Sequence, residues 1–235
     1  MDDSLLRAAL DRETRALVAV GAPADPVPTC PGWTVADVVR HVGQVQRRAA
    51  ARLTGAAPTD GPAPPDDGAE LGRWVIDGLA AVLAALPADL DEERPTFVGP
   101  RPARWTLRRL AHETAIHRWD AQAAVGPPAP IDPDLAVDGI DELLTVLAPL
   151  RLDPAAFGAE RVTLHVHATD VDGEWIVELG APGYAVRHGH EHGDVAARGP
   201  ASDLLLLLWS RLPAARVQVF GDAGLLDRWH DAVTI

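Results

Sequence analysis

The chain has 235 residues, of which 47% are hydrophobic and 23% charged, an ordinary composition for a globular protein of one large or two modest domains. All 21 basic residues are arginine, against 34 acidic residues. The resulting net charge of −13 argues against a nucleic-acid partner. The single cysteine, Cys30, excludes an internal disulfide framework and fits a reducing compartment.

The sequence predicts neither a signal peptide nor a membrane-spanning segment. The acidic start, Met-Asp-Asp-Ser, lacks the basic and apolar regions of a signal peptide. The longest apolar run, from Leu204 to Trp209, is much shorter than the roughly 20 residues that span a bilayer. The sequence therefore predicts a soluble cytoplasmic protein with no membrane partner.

The first 150 residues predict helices separated by loops rich in proline and glycine. Thr34 and Asp37 have the spacing of a capping box, and Thr106 is predicted to cap the fourth helix. A loop over 55–68 is too polar and too rich in proline to pack. The predicted helices cover 4–20, about 34–49, 70–86, about 106–125 and 133–150. Short loops between amphipathic helices favour an antiparallel bundle.

After about residue 158 the apolar period changes from that of helices to that of strands. Alternating β-branched residues predict a strand over 161–169, and Asp172-Gly173 predicts a hairpin turn into a strand over 174–179. Further predicted segments are strands at 184–187, 195–198 and 217–220, and helices at 202–212 and 223–233. The fold class is therefore α+β: a helical bundle followed by a small domain with a mostly antiparallel sheet.

The most informative residues are Glu113 and His117, which lie four apart in the fourth predicted helix. Residues at this spacing share a helix face, and here that face also carries small and apolar side chains. A carboxylate and an imidazole turned inward are costly unless they are paired or bound to a cation. His41 on a separate helix would complete a three-ligand metal site with one open position, as in catalytic zinc sites.

Other interpretations of these residues remain open at this stage. Glu113 and His117 also fit a pair on the helix surface with Arg109 or Arg118 as the partner, and His41 alone fits a histidine at the edge of the core.

Three residues near these candidate ligands are predicted to have structural roles only. His112 is predicted to face outward, because it is turned about 100° from Glu113 around the helix. Cys30 is predicted to be a small buried residue, and Trp33 a packing residue.

A second group of histidines lies in the C-terminal half, at His188, His190 and His192, with His165 and His167 in a neighbouring predicted strand. Alternating histidines in a strand point to one side and could bind a metal. Because the segment around His190 is rich in glycine and acidic residues, a solvated strand end or loop is the default interpretation.

Three segments in this order resemble the mycothiol-dependent maleylpyruvate isomerase family. They are Thr29-Cys-Pro-Gly-Trp-Thr-Val-Ala-Asp-Val-Val-Arg-His41, then Glu113-x3-His117-Arg-Trp-Asp-Ala121, then Gly199-Pro-Ala-Ser-Asp-Leu-Leu-Leu-Leu-Leu-Trp-Ser-Arg211. The resemblance implies a DinB-like four-helix metal-binding bundle over 1–152 and a sterol-carrier-like α+β domain over 153–235.

The resemblance also implies a chemistry. His41, Glu113 and His117 would bind zinc or another divalent metal, with mycothiol as co-substrate and Arg211 as a catalytic residue. The expected function is attack of a zinc-activated thiol on a small electrophile, as in the cis-trans isomerisation of maleylpyruvate. The alternatives are a mycothiol S-transferase, a metal-dependent hydrolase and a metal-stabilised ligand-binding or sensor module. The expected oligomeric state is a monomer or homodimer.

Overall fold

The computed structural model describes residues 1–59 and 61–233. Asp60, in the predicted loop over 55–68, lies outside the described residues, as do Thr234 and Ile235 at the end of the predicted second domain. The chain forms two compact units, Met1–Ala129 and Pro130–Ile235. Among the described residues, no helix is long and apolar enough to cross a membrane.

The first unit is built from four long helices, and each packs against two of the others. Asp2 caps the first helix, Asp67 caps the third, and Thr34 forms the predicted capping box with Asp37. The helices are α1 (Asp3–Ala19), α2 (Val35–Leu53), α3 (Gly68–Ala85) and α4 (Ala103–Val125), with the short strands β1 (Glu93–Arg94) and β2 (Arg101–Pro102) between the last two.

The prediction that Thr106 caps the fourth helix is wrong, because α4 begins at Ala103 and Thr106 lies within its first turn. No side chain caps this helix. Instead, the backbone N–H groups of Ala103 and Arg104 donate to the carbonyl oxygens of Glu92 and Leu90. The preceding loop thus satisfies donors that a capping side chain would otherwise satisfy.

The second unit begins with α5 (Pro133–Glu142), where the sequence predicts a helix to 150. The helix continues as a π-helical turn over Leu143–Leu147 and ends in the short α6 (Ala148–Arg151). The strands are β3 (Val162–Ala168), β4 (Glu174–Leu179), β5 (Ala185–His188), β6 (Val195–Gly199) and β7 (Gln218–Gly221), and the remaining helices are α7 (Ala201–Leu208) and α8 (Gly224–Ala232).

The sheet has the strand order β5-β4-β3-β6-β7. Only the β3–β6 pairing is parallel, so the sheet is mostly antiparallel, as predicted. One face is apolar and buried, with Leu164 and Val166 from β3 and Trp175 and Val177 from β4. The opposite face carries His165, His167 and Glu174. Together with the helical first unit, this architecture confirms the α+β fold class.

The division between units comes earlier than the predicted boundary at 152/153. Helix α5 packs on α7 and therefore belongs to the second unit. The descriptions of 1–152 as a metal-binding bundle and of 153–235 as a sterol-carrier-like domain stay predictions.

Candidate metal centre

Helices α2 and α4 bring together the three residues that the sequence singles out in the first unit. His41 lies on α2, and Glu113 and His117 lie one turn apart on α4. Oxygen Oε1 of Glu113 is 3.0 Å from Nε2 of His41 and 3.4 Å from Nε2 of His117. The three side chains are partly buried, with 27%, 18% and 12% of the His41, Glu113 and His117 side chains exposed. We call these three residues the bundle site.

The bundle site has the donor set and spacing of a metal centre. Two imidazoles and one carboxylate suit zinc, although nickel and iron(II) accept the same ligands. Ligand atoms around a tetrahedral zinc lie about 3.4 Å apart, given bonds of roughly 2.0–2.1 Å. The two separations from Oε1 of Glu113, 3.0 and 3.4 Å, are close to that value, and the ligand atoms of all three residues lie within 4.8 Å of one another, so these residues could hold a divalent cation.

Asp120 orients His117 from the side away from Glu113. Asp120 lies one turn along the helix from His117, and its Oδ2 is 3.1 Å from Nδ1 of His117. Asp120 is fully buried and also accepts from Thr29 Oγ1 at 2.6 Å and from Cys30 Sγ at 3.5 Å. With Nδ1 engaged, Nε2 of His117 is the nitrogen directed at Glu113, which is the arrangement of metal-binding histidines.

The same contacts set the protonation of the pair. Burial by itself raises the pKa of Glu113, but the charge of Arg109 and hydrogen bonds from His117 and His41 outweigh it and hold the pKa well below its usual range. Burial lowers the pKa of His117, but hydrogen bonds with Asp120, Cys30 and Glu113 outweigh it and raise the pKa well above 6.5. Without a metal, therefore, the site holds an anionic carboxylate beside an imidazolium.

The surface ion pair considered from the sequence is present in altered form. Arg109 does contact Glu113, through Oε2, but both side chains lie inside the bundle rather than on its surface. The Nε of Arg118 donates to Glu13 of α1 at 2.8 Å. Arg109 contacts Oε2 of Glu113 while the two histidines approach Oε1, so this ion pair is compatible with a metal.

Two residues of the loop before α2 also belong to this region. Trp33 lies against both imidazoles, with ring centroids 5.1 Å from His41 and 6.3 Å from His117. Cys30, His117 and Asp120 form a second close group of potential ligand atoms. Sequence reasoning assigned only packing to Trp33 and Cys30. The one available signal was their place in the segment that leads directly into α2.

The prediction that His112 faces outward is wrong, because only 2% of this residue is exposed. Helix α4 packs against both α1 and α2, so a residue turned away from Glu113 meets a second helix instead of water.

Arg211, the proposed catalytic residue, belongs to the second unit. It follows α7, and its guanidinium donates to the carbonyl oxygen of Trp209 at 2.9 Å and lies 5.7 Å from the Trp209 ring centroid. Its side chain lines a cleft of about 370 Å³ together with Asp227 and His230 of α8.

Comparison with known proteins agrees with the two-part organisation. Residues 5–122 match the family model of the mycothiol maleylpyruvate isomerase N-terminal domain, and residues 134–228 match that of the C-terminal domain of the same family. Two uncharacterized proteins from strains of Mycobacterium tuberculosis are each 28% identical over 124 residues, which is 51% of this chain and 64% of the relative. The match thus spans less than two thirds of those relatives.

Two crystal structures share the fold over nearly the whole chain. A variant of the mycothiol-dependent maleylpyruvate isomerase superposes with a TM-score of 0.61 at 15% identity, covering 93% of both chains. A second structure of the mycothiol-dependent maleylpyruvate isomerase gives 0.58 at 16% identity, over 92% of this chain and 90% of that one. At these identities the likeness establishes the fold alone. Because the two family models together span most of the sequence in order, this chain belongs to the mycothiol maleylpyruvate isomerase family.

Proposed function

We propose that the bundle site binds one divalent metal, best matched by zinc, and that the chain is an enzyme using mycothiol as a nucleophile on a small electrophile. The observation that carries this proposal is the approach of His41 and His117 to one oxygen of Glu113, at 3.0 and 3.4 Å. Family membership supports mycothiol as the thiol. Three protein ligands leave one coordination position for it.

A zinc ion held by His41, Glu113 and His117 would lower the pKa of a coordinated thiol and so supply a thiolate, which is the reactive form of a thiol. Two neighbouring residues keep the proposed metal ligands in the state that binds a cation. Asp120 fixes the ring of His117, and Arg109 keeps Glu113 anionic and therefore able to bind a cation.

In the isomerase reaction, the thiolate adds to the double bond of maleylpyruvate, the resulting single bond rotates, and elimination returns the thiolate. Arg211 is assigned to a substrate carboxylate and to the enolate-like charge that develops on addition, because a guanidinium can bind both through paired hydrogen bonds. In a transferase the same thiolate attacks an electrophile and remains attached to the product.

The first test is metal content by elemental mass spectrometry, with X-ray absorption at the metal edge before and after addition of mycothiol. We expect zinc in the purified chain and a new metal–sulfur shell with mycothiol. A thiol that leaves the shell unchanged would overturn the thiol-activating role and favour the hydrolase or the metal-stabilised module. Maleylpyruvate then separates the two thiol reactions, since the isomerase regenerates free mycothiol and the transferase consumes it.

The second test uses variants of the site. His117→Ala and Glu113→Ala should each lose one equivalent of metal relative to the unaltered chain, because each removes a ligand. Asp120→Asn keeps all three ligands and should weaken metal affinity by about 10–100-fold. His112→Gln, on the same helix, is the matched control and should keep full metal content. Unchanged metal in both ligand variants would refute the assignment.

A further inference from the structure

A second group of potential metal ligands lies in the other unit, on the face of the sheet opposite to its apolar core. His165 and His167 lie two residues apart on β3 and so point to the same side. Glu174 of β4 is the cross-strand partner of His167, and His190 follows β5. One ligand atom from each of the four lies within 4.8 Å of the others. We call these four residues the sheet cluster.

The side chain of Glu174 contacts both His167 on β3 and His190 in the loop after β5. Its carboxylate lies 2.5 Å from Nδ1 of His167 and 3.2 Å from Nδ1 of His190. The three imidazoles meet edge to face, with centroids 5.3 to 5.9 Å apart. Four donors from three separate segments therefore converge on one place.

His165 supplies an independent observation. Only 6% of this residue is exposed, and its Nε2 has no hydrogen-bond partner among the described residues. A buried polar atom that lacks a partner is costly, and an ion that binds the group is one recognised reason for such an atom to persist. The neighbours that would share such an ion are the other three members of the sheet cluster.

We propose that the sheet cluster is a second divalent-metal site, separate from the bundle site. Three imidazoles and one carboxylate suit zinc, whereas magnesium and calcium prefer all-oxygen surroundings. Four protein ligands fill a tetrahedral shell, so the site is structural rather than catalytic. It would fasten the loop that follows β5 to strands β3 and β4.

His190 is the member of the sheet cluster with the most room to adjust. Its side chain is 75% exposed on its loop, whereas His165 and His167 lie on β3, which pairs with β4 and β6. Nδ1 of His190 lies 3.2 Å from Glu174, close to the roughly 3.4 Å between ligand atoms around a tetrahedral zinc. Any adjustment that metal binding requires should therefore fall on His190.

His188 is the natural control. It lies two residues before His190, but it contacts Asp141 at 3.1 Å and the ring of Trp175 at a centroid distance of 5.7 Å. Trp175 belongs to the apolar face, so His188 points away from the sheet cluster.

The test is zinc binding by the double variant His41→Ala/His117→Ala, in which the bundle site is disabled. Zinc content after gel filtration should remain near one equivalent, zinc should raise the melting temperature by several degrees, and cobalt should give the visible spectrum of a tetrahedral site. In this background Glu174→Gln and His190→Ala should each weaken zinc binding at least about tenfold, and His188→Ala should not.

Because His190 is exposed on a loop, its replacement cannot act by unfolding the sheet. A double variant that binds no zinc would overturn the proposal, as would equal losses in the His190 and His188 variants. The result does not depend on the proposed enzymatic function: loss of mycothiol chemistry with retained sheet-site zinc would count against that function alone.

Discussion

Ser210 adopts a backbone conformation that few residues other than glycine accept. Its φ of 60° places it in the left-handed region at the end of α7. There its N–H donates to the carbonyl oxygen of Leu207, and the N–H of Arg211 donates to that of Leu206 at 2.7 Å. These two bonds form a Schellman motif, which normally carries glycine at this position. The motif determines where the chain turns and hence where the backbone of Arg211 lies.

Replacing Ser210 with glycine should stabilise the second unit by about 1 kcal/mol, because relief of left-handed strain exceeds the entropy cost of glycine. The substitution also removes a buried hydroxyl that has no partner among the described residues. The measurement is the midpoint of thermal unfolding. Ser210→Ala is the control: it removes the hydroxyl but keeps the strain, so it should recover less stability than glycine. If the glycine variant is less stable than the alanine variant, the backbone of Ser210 is not strained.

The sequence predicts those parts of the candidate site that depend on local helix spacing. The i, i+4 spacing places Glu113 and His117 on one face, and one more turn places Asp120 beside His117, because helix geometry is local. Nothing local relates Thr29 to Asp120, which are 91 residues apart yet hydrogen-bonded at 2.6 Å. Contacts of that kind depend on how α2 and α4 pack, and no motif encodes the packing.

At the element scale, α1 and α4 are joined by a buried ion pair between Glu13 and Arg118, of which 4% and 3% are exposed. Arg118 also donates to Gln122 and to the carbonyl oxygen of Ala129. The guanidinium of Arg118 therefore holds the carboxylate of Glu13 and also holds the chain just after the end of α4. A buried charge left without its partner is far more costly than one at the surface.

Arg118→Met should destabilise the protein by up to about 3–5 kcal/mol, because Glu13 would lose its buried cation and keep only the half-exposed Arg12, whose Nε lies 3.0 Å away. Adding Glu13→Gln should recover part of that loss, which a double-mutant cycle in urea would measure. The exposed pair Arg15–Asp11, on the same helix α1, is the control. Arg15→Ala should leave the urea midpoint nearly unchanged. Equal effects of the Arg118 and Arg15 substitutions would contradict a role for burial.

Helix ends show why some elements are predicted better than others. The capping box of Thr34 and Asp37 lies within four residues, so the start of α2 can be read from the sequence. The start of α4 depends on carbonyl groups of Leu90 and Glu92, which carry no side-chain signature. The strands were predicted within a few residues because one face of the sheet is apolar and the alternation is clear.

The chain divides into its two compact units between Ala129 and Pro130, whereas the sequence predicts a boundary at 152/153. Helix α5 follows the bundle after a short loop and has the same helical period as the helices before it. Only its partner distinguishes it, since α5 packs on α7, and Tyr184 of the second unit donates to the carbonyl oxygen of Leu144 at 2.7 Å. Local patterns identify a helix but not the unit to which it belongs.

Two fragments test this boundary. A fragment over 1–129 should fold as a helical unit, with a cooperative thermal transition and no binding of the dye ANS, which reports exposed apolar surface. A fragment over 1–152 should melt at the same temperature but bind ANS, because Ile140, Leu143 and Leu144 are fully buried in the whole chain and α5 would lose its packing partner α7. Higher stability in the longer fragment would show instead that α5 completes the bundle, as the boundary at 152/153 requires. The metal affinity of the bundle site should be the same in both fragments, since His41, Glu113, His117 and Asp120 all lie before residue 129.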